Sequence, residues 1–141
     1  MGELAKLRKE RQGVPLDLVV FSACRTALGD ANAELGFSGL ALQAGARSAV
    51  GTLWYVDDVV TSAYFVLMYR YLDQGIPKAE AMQLTRQAFA RNLVRLDGDR
   101  LLGVNDQPLL LNLTPSQQRR VSSGVNNPFF WAGIELMGSP W

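Results

Sequence analysis

The 141-residue sequence contains no histidine and a single cysteine, Cys24. Without an imidazole no Ser-His-Asp relay can be assembled within the chain, and with one cysteine a zinc site would need an improbable set of carboxylates. One cysteine excludes an internal disulfide, and no secretory leader precedes the first charges at Glu3 and Lys6, so a reducing, cytoplasmic location is expected. An excess of charge of one sign is missing too. Fourteen Lys and Arg against thirteen Asp and Glu leave a net charge of +1, without the basic face that nucleic-acid binding needs. The cluster Lys6, Arg8, Lys9 and Arg11 reads as a solvated helix end. The longest uncharged apolar stretch, Val59 to Tyr69, falls far short of the roughly 20 residues that cross a bilayer, so no membrane partner is expected. Gly36-Phe37-Ser38-Gly39 precedes a helix but lacks the lysine of a phosphate loop. Asp97-Gly98-Asp99 lacks the further carboxylates of a calcium loop. No cofactor is expected, and internal repeats and low-complexity tracts are absent.

What the sequence does contain is apolar residues, 48% of the chain against 19% charged, enough for one globular domain with a sizeable core. Residues 1–16 read as a short charged N-terminal helix and linker, ended by Gly13 and Pro15. Residues 17–95 read as a βαβαα core: a strand over 17–23, a compact helix from Phe37 to Ala44 stopped by Gly45, a strand from Ala46 to Trp54, and two helices. The first strand, helix and second strand form a βαβ unit with parallel strands. The first of the later helices, Val59 to Leu72, is apolar nearly all round and must be covered on most sides. Gly75-Ile76-Pro77 ends it. The next carries the stripe Ala81, Met82, Leu84, Ala88, Phe89 and Leu93. In residues 96–124 Gly98, Gly103, Pro108 and Pro115 break the periodicity, predicting an insertion or surface loop with a short hairpin. Residues 125–141 hold a final strand from Phe129 to Met137 and a tail. Three strands are few for an α/β domain, so the chain reads as the C-terminal half of something larger.

Cys24 closes the buried run Asp17 to Ala23, where the carboxyl end of a strand opens into the polar loop Arg25 to Asp30. That rim is where ligands bind and reactive groups project in open α/β sheets. A lone cysteine is equally at home as a small buried hydrophobe.

The segment Leu18-Val19-Val20-Phe21-Ser22-Ala23-Cys24-Arg25-Thr26-Ala27-Leu28-Gly29 resembles the nucleophile motif of CHAT domains, caspase-like cysteine peptidases often attached to tetratricopeptide repeats. Ala44 to Asp58, with Gly51-Thr52-Leu53-Trp54 at its centre, is similar to that family's second signature, and Asn127-Pro128-Phe129-Phe130-Trp131-Ala132-Gly133-Ile134 to its closing strand. The three stand in the family's order. The resemblance implies a caspase-like three-layer sandwich around a largely parallel sheet, of which this is the C-terminal half. It implies peptide-bond hydrolysis with Cys24 as nucleophile, activated by an upstream histidine that is followed by an oxyanion-hole glycine. Neither upstream residue is in this sequence, so the chain alone is expected to be inactive.

By the same resemblance Ser22 and Trp54 match the positions lining the pocket for the side chain before the cut. Asp57 and Asp58 lie close by in sequence, and a carboxylate facing that pocket would favour lysine or arginine. Both also suit the start of the helix that follows, Asp57 as its cap and Asp58 in its first turn, and Trp54 also suits a core. The expected partners are a peptide or protein substrate, a tetratricopeptide-repeat segment or regulatory protein, and a second copy paired through an open sheet edge. The alternative function is a non-catalytic interaction module that keeps the caspase-like fold and docks a partner through 96–124 or the Phe129–Trp131 edge. A small nucleotide-binding α/β domain is a remote third reading.

Overall fold

A computed structural model of the chain describes residues 16–20, 41–54 and 56–141. In chain order its elements are β1 (Val19–Val20), β2 (Ser48–Thr52), α1 (Asp58–Asp73), α2 (Lys78–Ala90), β3 (Arg95–Asp97), β4 (Arg100–Leu102), β5 (Pro108–Leu110), α3 (Pro115–Val121) and β6 (Ile134–Gly138). The fold is mixed α/β, with two small sheets. The described residues divide into two compact units: 16–54 with Gly133–Trp141, and Val56–Ala132. The expected N-terminal helix, most of the helix expected over 37–44, Gly36 to Gly39, and the segment with Ser22 and Cys24 lie outside the described residues.

The first unit holds the sheet β1-β2-β6. β1 and β2 run parallel, with Val19 opposite Ala49 and Val20 opposite Val50, as the βαβ reading requires. β6 returns antiparallel on the other side of β2, from Ser48 opposite Gly138 to Thr52 opposite Ile134. Among the described residues the parallel pairing is therefore confined to β1 and β2. Every residue of β2 is buried, which explains why Ser48-Ala49-Val50-Gly51-Thr52 carries no polar and apolar alternation. The turn that leads into β2 is set by Gly45 at φ 100°. Its N–H donates to the Leu42 carbonyl, and the Ala46 N–H donates to that of Ala41, each at 3.0 Å. These two bonds close a helix end in the left-handed manner that glycine allows.

In the second unit α1 buries Val59, Val60, Ala63, Tyr64, Phe65, Leu67 and Met68, as its nearly continuous apolar surface demands. It packs on α2, β5 and α3. The Tyr64 and Phe89 rings lie 5.8 Å apart between α1 and α2. Gly75 (φ 83°) and Asn92 (φ 60°) end the two helices in the same left-handed way as Gly45. Thr61 and Thr85 are buried, and each hydroxyl donates to the carbonyl four residues earlier, at 2.8 and 2.7 Å, so helical burial leaves neither unsatisfied.

Two expectations change. Residues 96–124 are folded: β3, β4 and β5 form an antiparallel meander, and α3 follows. Gly98 at φ 62° opens the two-residue loop between β3 and β4, as a type II′ hairpin needs. Thr114 and Gln117 close a reciprocal capping box at the start of α3. Val94, Leu101, Leu102, Leu109, Val121 and Val125 are buried. The short hairpin expected here is β3–β4; strands of three residues are too short to display a period, which is why the rest of the segment reads as a loop.

The final strand also starts later than expected, at Ile134. Pro128–Phe130 is a 3-10 turn capped by the Asn127 side chain, which accepts from the Phe129 N–H at 3.0 Å. Asn-Pro chemistry thus overrides the strand propensity of three consecutive aromatics. Trp131 is buried, its indole N–H donating to the Val125 carbonyl at 3.1 Å, so the expected Phe129–Trp131 edge is a turn with Phe129 alone exposed. No helix among the described residues is long and apolar enough to cross a membrane.

Candidate functional site

Because β1 and β2 are parallel neighbours, the chain leaves Val20 and Thr52 at one and the same edge of the sheet. Ile134, opposite Thr52, starts β6 at that edge too. Carboxyl ends of adjacent parallel strands are where α/β proteins assemble their chemistry, since the sheet holds the ends rigid while the following loops vary. Cys24 and Ser22 follow Val20 by four and two residues in sequence, outside the described residues.

Trp54 follows Thr52 by two residues and is 36% exposed. Its indole lies directly over Gly133. A Cβ on Gly133 would stand 2.8 Å from the Cδ2 and Cε2 atoms of the indole and 3.1 Å from Cζ2, well inside carbon–carbon contact. The Leu53 N–H donates to the Gly133 carbonyl at 2.8 Å, which fixes the two backbones against each other. Trp54 is thus neither a fully enclosed core residue nor a loose surface ring.

Asp57 and Asp58 belong to the second unit. Asp57 caps α1: its Oδ1 accepts from the N–H groups of Val59 at 2.8 Å and Val60 at 3.3 Å, satisfying two of the donors that a helix start leaves open. Asp58 occupies the first turn, where a negative charge suits the helix dipole. The structural role weighed for both residues is therefore observed.

Sequence reasoning missed their shared partner. Arg120, in the last turn of α3, donates from Nη1 to Asp57 Oδ2 at 3.0 Å and to Asp58 Oδ1 at 2.6 Å. That bond holds the Asp58 carboxyl below its ordinary value of 3.8 against the opposing push of partial burial, and the guanidinium charge and the Asp58 and Val59 N–H groups add to the lowering. The signal that could have found α3 was present: Thr114-Pro115-Ser116-Gln117 has the spacing of a capping box with proline at the first helical position. Among the described residues no three Asp, Glu or Cys side chains converge as a metal site would require.

The described residues are mixed α/β, with two parallel strands that end at a common edge, and the lone cysteine follows the first of them in sequence. The CHAT domain family model matches residues 1–139, and the chain belongs to that caspase-like peptidase family. No match was found among curated proteins or among solved structures.

Proposed function

We propose that this chain carries the nucleophile of a caspase-like cysteine endopeptidase, with Cys24 attacking the scissile carbonyl to form an acyl-enzyme. The observation that carries the reading is the parallel β1–β2 pair inside a CHAT-family chain. It supports a cysteine four residues beyond Val20 working from the same sheet edge as Trp54. A thiolate is the reacting species, and a neutral-pH cysteine needs a base beside it. These 141 residues hold no histidine, so the imidazole, and the oxyanion-hole glycine after it, come from residues outside them. The sheet then extends beyond β1 into the caspase-like three-layer sandwich, and the 141 residues alone do not cleave peptides.

Ser22 and Trp54 line the pocket for the side chain before the cut. A carboxylate of Asp57 or Asp58 that faces that pocket would favour lysine or arginine there, although Asp57 already caps a helix and both carboxylates accept from Arg120. The substrate is a protein or peptide, delivered through tetratricopeptide repeats or a regulatory protein.

The test is cleavage of a fluorogenic peptide library, varied at the residue before the cut, by the full-length protein and its Cys24→Ala variant. Cleavage that vanishes in the variant and prefers basic residues is the expected result. A full-length protein that contains no histidine outside these residues, or cleaves nothing, favours the second reading, a non-catalytic interaction module. One observation bears on that alternative: Leu111, within 96–124, is 59% exposed and Phe129 63% exposed, and these are the two places where such a module would dock its partner.

A further inference from the structure

We propose that Gly133 is the seat of Trp54: a positioning residue that fixes the indole at the carboxyl edge of β2 and so sets which side chain before the cut is accepted. The specificity half of this inference rests on the reading that Trp54 lines that pocket. The positional half stands on geometry alone.

Trp54 emerges just past the last paired residue of β2, where its partly exposed ring is not confined on every side by a core. The backbone of residue 133 bounds the ring on one side. The Leu53 N–H···O=C Gly133 bond at 2.8 Å locks the two segments together one residue from the ring, and the missing side chain at 133 leaves the space in which the ring lies.

The contact atoms, Cδ2 and Cε2, are the fused bond of the indole rather than the tip of a flexible chain. A methyl group at 133 would meet them at 2.8 Å, whereas carbon atoms rest at about 3.5 Å or more. The ring would have to withdraw by the difference, about 0.7 Å, or turn about its χ angles into a new position. Gly133 lies one residue before β6, whose start is fixed by the Thr52–Ile134 pairing, so the ring is the softer party and moves first. A displacement of this size beside a reacting substrate is enough to change rates by roughly tenfold or more. Substrate preference therefore depends on a glycine that touches no substrate.

The experiment is a double-mutant cycle in the full-length protein: wild type, Gly133→Ala, Trp54→Leu and the double variant. Each is assayed on fluorogenic peptides with arginine or alanine before the cut. Each is also labelled with 5-fluorotryptophan, and the Trp54 line in the 19F spectrum is assigned by its loss in Trp54→Leu. Gly133→Ala is expected to move the Trp54 line while leaving the other tryptophan lines in place, and to change the arginine-over-alanine ratio of kcat/KM roughly tenfold, mainly through KM. With leucine at 54 there is no fused ring to displace, and the same substitution should change the ratio less than about twofold. An unmoved Trp54 line, or an equal loss on both peptides that persists in the Trp54→Leu background, overturns the proposal by making Gly133 a backbone requirement only. A wild type that cleaves neither peptide overturns the peptidase reading and the specificity half with it, and the 19F line then decides whether Gly133 seats the ring.

Discussion

Asp57 divides its carboxylate between two tasks. Oδ1 accepts the N–H groups of Val59 and Val60, and Oδ2 faces Arg120. The cap is the larger contribution, because a partly exposed ion pair contributes well under about 1 kcal/mol while a lost N-cap costs about 1 kcal/mol. Asp57→Ala should therefore destabilise the protein by about 1–2 kcal/mol in urea unfolding. Asp57→Asn, which keeps an acceptor oxygen, should cost less than half of that; equal losses would show that charge, not capping, is what matters. Asp58 gives a separate signal in pH. Its carboxyl titrates below the ordinary value when folded, so the unfolded chain takes up its proton first as pH falls. The stabilisation is complete above the unfolded value, near 3.9, and is lost as pH drops through the lower folded value. Arg120→Gln should flatten the fall in melting temperature below about pH 4 and change little between pH 6 and 8 beyond a constant offset. An unchanged acid limb would mean that Arg120 does not hold Asp58 in solution.

At the scale of elements, the end of β6 is held by several contacts in one place. Gly138 sits at φ 91°, and a Cβ there would run into the Arg47 carbonyl oxygen and stand 2.8 Å from Leu42 Cδ2. Next to it the Ser139 N–H donates to that same Arg47 carbonyl at 2.9 Å, and the Ser48 hydroxyl donates to the Ser139 carbonyl at 2.7 Å. Gly138→Ala combines a left-handed backbone with a backbone collision, and should cost about 2–4 kcal/mol by chemical denaturation. A loss under about 1 kcal/mol would mean that the strand end simply shifts. The same scale shows what was legible in the sequence. The helix from Asp58 announced itself through two acids before a long apolar run, and the parallel pairing of β1 and β2 through the apolar strand runs and Gly45 before the second. The meander was legible only as the short hairpin around Gly98, since three-residue strands give no period and the turn into β5 rests on Asn105 and Asp106 at φ 57° and 59°. The Phe129 to Met137 run misled because strand propensity was counted without the Asn127-Pro128 cap in front of it. The Arg120 contact joins residues more than sixty positions apart, and such pairs exist only once the fold is known.

At the scale of the whole molecule, the sequence's own inventory sets the strongest constraint. The proposed peptidase would work through a thiolate, and a free cysteine is only a few per cent thiolate at pH 7. The chain offers Cys24 and no imidazole. If residues outside these 141 supply the base, Cys24 should react differently in the two contexts, and this can be measured without knowing the substrate. Alkylation by iodoacetamide at pH 7, followed by intact mass, should proceed on the 141-residue chain no faster than on an unassisted thiol. In the full-length protein the same residue should react about ten times faster or more, because a neighbouring imidazolium converts most of the thiol to thiolate, and replacing the responsible histidine should return it to the slower rate. Peptide cleavage should follow the same pattern, present only where the fast thiol is present. Equal alkylation rates in both contexts, with both chains folded by circular dichroism, would mean that Cys24 is not an activated nucleophile. The exposed Phe129 and Leu111 would then become the surfaces to pursue.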